Sequence, residues 1–314
     1  MLDYRHFGLK EHPFRPIPAS QSLFMTGTHR EAFALLEWGL LHEPSHCTLL
    51  VGEPGTGKTT LLQSLLNRDY YKVRIARAGN PAAVFDEFLR EVMYDFGIGA
   101  GPSRREMLEE FDRFLSSIEP GGRAVVVVDD AQALTDAVLD EIHLLLKRRT
   151  IDDRRLHFIL VGQRQLARRL LQPELRELND SIGARAILDR MSRKEAFDYI
   201  EYWLQTVGGK SRTVFGWRAL VHIVEHGGGI PRRLNVLCHN ALLLASSVGH
   251  RKVHLGAARQ ATSEYAANTP RQYRPWFRSA TRGRTAALVV PDSNAAAHAG
   301  AGAINGSASA AHRI

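Results

Sequence analysis

Cysteine is scarce in this 314-residue chain: there are two, Cys47 and Cys238, far apart and each inside an apolar run. That excludes a disulfide-stapled scaffold and fits two buried thiols in a reducing compartment. Long apolar runs are also lacking. A spanning helix needs roughly 18–20 continuous apolar residues, and Leu288–Val290 is far too short. The N-terminus has no basic-then-apolar signal segment, and no internal repeat is present. These absences predict a soluble, cytoplasmic protein, at most peripheral at the inner membrane. Acids are sparse at the C-terminal end. Six arginines (Arg271, Arg274, Arg278, Arg282, Arg284 and Arg313) follow Thr269 against one acid, Asp292, so five of the eight net positive charges belong there. Ala295–Ala311 is an Ala/Gly/Ser/Asn tract whose only large apolar side chain is Ile304, too little for a core. Residues 266–314 therefore read as a basic, disordered tail. It is either a solvated extension or a segment that meets DNA or an anionic membrane surface.

What remains is ample for a folded body: 44% of residues are apolar, and the length suits one large domain or a large and a small one. Residues 1–27 are irregular, with anchors at Phe7, Leu9, Pro13, Phe14, Leu23 and Phe24. A helix is predicted from Thr28 to Leu41, where Thr28 and Glu31 have the spacing of a reciprocal cap. Strands are predicted at Cys47–Val51, Val73–Ala76, Ala124–Val128 and Leu156–Val161. Between them lie helices at Thr59–Asn67, after Asn80-Pro81, after the Ser103/Glu106 capping pair, and from Thr135 to Arg149. Strands alternating with helices of this length give an α/β fold with a parallel sheet covered by helices. After Met191 the pattern becomes all-helical. Ser192 and Glu195 cap a helix to Thr206, followed by Phe215–Glu225 and Pro231–Ser247, with a brief Val253–Leu255 run between helices. The expected division is an N-terminal segment and helix packing on the core (1–47), the α/β core (48–190), a helical lid (191–265) and the tail (266–314).

The chemistry concentrates in Gly52-Glu53-Pro54-Gly55-Thr56-Gly57-Lys58-Thr59, which matches G-x-x-x-x-G-K-[ST], with Thr60 as the next residue. Glycines let the backbone wrap so that successive amides point at phosphate oxygens, and the following helix adds its N-terminal partial charge. Lys58 is expected between the β- and γ-phosphates of ATP, and the Thr59 hydroxyl on Mg²⁺. Such a loop needs a carboxylate beyond an adjacent strand. Val125-Val126-Val127-Val128-Asp129-Asp130 supplies one: Asp129 to orient the metal, Asp130 to face the attacking water. Read alone, four valines and two acids also describe a strand ending at the surface. Gln163, after the fourth strand, is a candidate γ-phosphate contact, or simply a loop glutamine. Gly227-Gly228-Gly229-Ile230-Pro231-Arg232 puts an arginine in the first turn of a lid helix. Arg232 or Arg233 can then reach the phosphates with a planar, permanently charged fork. His222 and His226 are spaced as a metal pair but have no evident third ligand, and Cys238 beside His239 is not a dyad, because adjacent helical residues diverge.

With these residues in place, the chain resembles the ExeA/GspA-like AAA+ ATPases of general secretion systems, in a clan that includes transposition ATPases of TniB and TnsC type. The resemblance covers about residues 4–265. It rests on Phe7-Gly8-Leu9 through Pro13-Phe14, on Val128-Asp129-Asp130-Ala131-Gln132 (hhhDEAQ in the family), on Leu160-Val161-Gly162-Gln163 as a sensor-1 strand end and on Gly229-Ile230-Pro231-Arg232 as a sensor-2 arginine. It implies that the N-terminal segment packs near the nucleotide base. It also implies ATP hydrolysis, a nucleotide-dependent homo-oligomer and a secretion or envelope partner. Two departures stand out. Asp130 occupies the family's glutamate position, shorter by one methylene. Ser181-Ile182-Gly183-Ala184-Arg185 keeps only the later of two arginines, which makes Arg185 the candidate trans-acting arginine finger. The family's membrane span and peptidoglycan-binding module are not found in this sequence. The resemblance favours a secretion-related motor or switch. The alternatives are a DNA-associated regulator of transposition type and a nucleotide-gated module with little hydrolysis.

Overall fold

The computed structural model describes residues 4–15, 23–41, 46–68, 70–79, 84–147 and 156–268. The chain divides into two units, Met1–Thr281 and Arg282–Ile314. The second lies outside the described residues, as do all the tail arginines and the Asn80-Pro81 helix start.

The strands are β1 (Cys47–Gly52), β2 (Val73–Ala78), β3 (Arg123–Val128), β4 (Leu156–Gly162) and β5 (Ile182–Leu188). They form one sheet in the order β2-β3-β4-β1-β5, and every pairing is parallel. The helices around it are α1 (Gly27–Leu41), α2 (Lys58–Leu66), α3 (Phe85–Asp95), α4 (Arg104–Ser117), α5 (Asp136–Lys147), α6 (Arg164–Arg169) and α7 (Arg176–Asp180). The valine run of β3 is apolar throughout because the sheet is covered on both faces. Val126 and Val128 point into a core with Phe88, Phe111 and Ile142, from α3, α4 and α5. Val125 and Val127 point the other way, into a core with Leu36 of α1 and Leu61 and Leu65 of α2.

A helical unit follows: α8 (Arg193–Thr206), α9 (Ser211–Val214), α10 (Trp217–Gly227), α11 (Pro231–Ser247) and α12 (Leu255–Ala267). Ser192 and Glu195 form the reciprocal capping box at the start of α8. Ser103 caps α4 through the Glu106 amide, and Thr135 accepts from Val138 N at 3.3 Å to cap α5.

Five expectations change. The strand of acids is not the neighbour of β1, because β4 lies between β1 and β3. The cap of α1 is Thr26 rather than Thr28: its Oγ1 accepts from His29 N at 3.3 Å. A fifth strand, β5, runs where only the arginine pattern drew notice. α12 extends the helical unit to Ala267, buried through the small side chains Ala258, Ala261 and Thr262. The N-terminal segment also divides. α1 packs on the sheet core, but Phe7, Leu9 and Phe14 are buried among α8, α10 and α11, and Lys10 N donates to Val207 O at 3.0 Å.

Candidate functional site

The loop between β1 and α2 lies at the carboxyl end of the sheet, between β4 and β5, where open parallel sheets bind ligands. Gly55 and Gly57 take φ of +82° and +102°, a conformation only glycine adopts without strain. A Cβ on Gly55 would also stand 2.8 Å from Arg232 Cβ. Lys58, 8% exposed, donates from Nζ to the carbonyls of Gly52 and Glu53, both at 3.0 Å. Burial pulls its pKa below the usual lysine value, opposed by the charges of Asp129, Asp130 and Glu53.

Thr59 and Asp129 come together across the sheet: Thr59 Oγ1 donates to Asp129 Oδ2 at 2.9 Å. A hydroxyl and a carboxylate at this spacing are the hard oxygen donors that suit Mg²⁺, with waters and phosphate oxygens completing its shell. Asp130 has a left-handed backbone (φ 51°), uncommon for a residue with a Cβ. Its Oδ1 accepts from Gln132 Nε2 at 2.9 Å, and Gln132 Oε1 accepts from Gln163 N at 2.9 Å. Gln132 thus ties the second acid to the end of β4. Gly162 leaves room for this contact, since a Cβ there would stand 2.8 Å from Gln132 Oε1 and would push that side chain aside. Gln163 is therefore attached through its backbone, as the residue that opens α6.

From the helical unit, Arg232 N donates to Gly55 O at 3.3 Å, and its exposed side chain lines the cavity in front of the loop. Arg233 points inward and is 5% exposed. Arg185 stands on β5 opposite Leu49, with Nη2 donating to Asn179 O at 2.6 Å and Oδ1 at 3.1 Å. It does not line the cavity. His222 and His226 are occupied locally: His222 Nε2 meets Thr262 Oγ1 at 3.0 Å, and His226 Nδ1 donates to His222 O at 2.8 Å.

The cavity measures about 710 Å³. One wall is Gly55–Thr60; beyond it the lining turns aromatic, with Phe14, Phe24, Tyr199, Trp203, His12 and His239. His12 and His239 stack at 4.5 Å and 10°. Burial, with help from His239 and Arg15, pushes the His12 pKa down to about 4, and burial lowers that of His239. The stack is uncharged near neutral pH and offers flat apolar faces.

Two contacts were not foreseen. His29, 3% exposed, donates from Nε2 to Thr56 O at 3.1 Å while its Nδ1 meets Thr26 Oγ1 at 2.6 Å. Arg190 holds Glu53 with both arms of its fork, at 2.7 and 2.6 Å. Burial would raise the Glu53 pKa, but the Arg190 hydrogen bonds and charge, and the charges of Arg164 and Arg233, keep it below the ordinary carboxylate value. Neither contact has a sequence-local signature beyond residue type.

Comparison with known proteins agrees with this fold. Residues 42–170 match the family model described as an AAA domain. General secretion pathway protein A of Aeromonas hydrophila is 36% identical over 257 residues, covering 79% of this chain. The chain spans only 45% of that protein's length. Among solved structures, Cdc6p from Pyrobaculum aerophilum superposes with a TM-score of 0.64 at 20% identity, over 80% of this chain and 70% of the other. The RuvB Holliday junction branch migration motor of Thermotoga maritima gives 0.51 at 20% identity, over 80% and 73%. At such identities the two structures speak for the fold alone. The secretion protein's match covers more than three quarters of this chain, and with it the chain is a GspA/ExeA-like member of the AAA+ ATPase family.

Proposed function

We propose that this protein binds ATP with Mg²⁺ at the loop Gly52–Thr59 and hydrolyses it, as a motor or switch for a secretion-related assembly. The observation that carries the reading is the Thr59–Asp129 contact. It joins two elements that the intervening β4 keeps apart, and it puts a hydroxyl and a carboxylate beside Lys58. Lys58 would neutralise charge on the β- and γ-phosphates. Asp129 and Thr59 would hold the metal, which polarises the phosphate oxygens when bound. Asp130 would accept the proton of the attacking water, and Gln163 would sit near the γ-phosphate. Arg232, and Arg185 from a neighbouring copy, would meet the negative charge that grows in the transition state. Assembly into an oligomer in the presence of nucleotide follows from a finger supplied in trans, and size-exclusion chromatography with and without ATP tests it. The decisive assay is multiple-turnover phosphate release. We expect steady release from the wild type and loss in Lys58→Ala; a wild type that binds ATP without releasing phosphate contradicts the hydrolysis.

One feature favours a second reading, a nucleotide-gated module that hydrolyses slowly. The Asp130 carboxylate is short and engaged by Gln132, and proton abstraction tolerates little misplacement. On this reading Asp130→Glu raises turnover, by about tenfold or more if placement alone limits the rate. An unchanged rate counts against it.

A further inference from the structure

The helical unit has a second recognition feature, and it shares no residue with the nucleotide cavity. Glu225 is the only acid between Tyr202 and Ser263, and it lies 3.4 Å from Arg193. The same stretch holds Arg212, Arg218, Arg251 and Lys252, none of which makes an ion pair among the described residues, and Lys210, whose charge acts on Glu201. Arg212 and Lys252 line a cavity of about 390 Å³ with Phe215, Trp217 and Leu220. Main-chain bonds shape it. Gly216 N donates to Val253 O and Val253 N to Val214 O, both at 2.8 Å, so that the segment before α12 is tied to the turn before α10. Phe215 and Leu220 are buried and supply an apolar floor. Trp217 is 67% exposed, with one face on Phe197 at 5.4 Å and 13°.

We propose that this face docks an acidic peptide segment of a partner protein, one that seats an aromatic or large aliphatic side chain against Trp217. A solvent-facing indole beside an apolar floor is the kind of anchor site where interface energy concentrates, and tryptophan and arginine dominate such sites. Unpaired cations on the rim would meet carboxylates flanking the anchor, giving steering and specificity. Single-stranded nucleic acid would need successive aromatic platforms along a basic groove. Here one indole is offered, and one of its faces is already covered by Phe197.

The test is selection of short random peptides on the folded full-length protein, followed by affinity measurement with the peptides recovered. Peptides combining an aromatic or large aliphatic residue with two or more acids are expected. Their binding should weaken by about tenfold or more in Trp217→Ala, and in Arg212→Glu with Lys252→Glu. In that double variant, lysine analogues of the same peptides should bind better than the acidic originals. Recovered peptides without acidic bias, or binding unchanged in Trp217→Ala, overturn the proposal. So does an oligothymidine that binds through Trp217 and is not displaced by the peptides.

Discussion

His29 shows how one side chain can set the quality of a phosphate loop. A peptide unit is planar, with its carbonyl and amide hydrogen pointing in opposite directions. Because His29 Nε2 holds the Thr56 carbonyl, the amide of Gly57 in the same unit is turned the other way, toward the cavity its backbone lines. Thr56 O can only accept, so Nε2 carries a hydrogen. Burial lowers the His29 pKa, and the neutral ring accepts from Thr26 at Nδ1. Replacing His29 by Leu should remove this aim and weaken ATP binding by about 5- to 30-fold, the worth of a lost hydrogen bond of about 1–2 kcal/mol. Gln at 29 can present its own amide nitrogen and should recover most of the affinity. Binding of adenosine, which has no phosphate to meet Gly57 N, should stay unchanged; an equal loss for adenosine would mean the effect is only structural. The loop itself was legible because its eight residues are contiguous and their types are dictated by the backbone they must adopt. His29 was not, because its partner is 27 residues away and a buried histidine on a helix has many other uses.

At the scale of elements, the N-terminal segment behaves as part of the helical unit. Tyr4, His12 and Phe14 reach α8 and α11 through the His12–His239 stack, the 3.3 Å contact of Tyr4 Oη with His239 Nδ1, and a shared apolar cluster. This junction should be sensitive to acid. The His12 pKa is depressed from 6.5 to about 4 in the folded protein, so the unfolded chain binds the proton more readily between those values. Stability from this contact is full above pH 6.5 and is lost as pH falls toward 4. His239 is shifted in the same direction. The melting temperature should therefore fall more steeply below pH 6.5 in the wild type than in His12→Phe, where a flat aromatic is kept without the titrating nitrogen. Parallel curves would show that the stack carries no such linkage. The segment's attachment was not readable in advance, since apolar anchors without periodicity say that something is covered but not by what. β5 escaped notice for a related reason. It is an edge strand of the pattern buried-exposed, with Gly183, Arg185 and Ile187 outward, and those residues resemble a loop when read singly. The valines of β3, closed on both faces, the Ser103 cap of α4 and the capping box of α8 had local signals and fell where expected.

At the scale of the whole molecule, three parts converge on the loop. α1 supports it from behind through His29, and the end of β5 grips Glu53 through Arg190. α11 presses on Gly55 through the backbone of Arg232. Glu195 adds a further tie: its carboxylate accepts from Ser192 N at 2.8 Å and Gly27 N at 3.4 Å, so one acid serves the starts of both α8 and α1. The loop is thus the point where sheet, N-terminal segment and helical unit meet, and nucleotide there would bear on all three. Arg190→Ala should loosen this meeting point. We expect it to weaken ATP binding by less than Lys58→Ala does, and to lower the melting temperature by an amount that saturating ATP partly restores. No restoration by ATP would separate the Glu53–Arg190 pair from the nucleotide site. The central claim is that the loop, Lys58 and the Thr59–Asp129 pair form one seat for a metal-bound triphosphate. Isothermal titration calorimetry of the full-length protein with ATP, in magnesium and then in EDTA, tests it most directly. The account predicts saturable binding that magnesium strengthens and that Lys58→Ala weakens by about tenfold or more, as loss of a buried charge-assisted contact should. Wild-type protein showing no magnesium-dependent heat of ATP binding would contradict it.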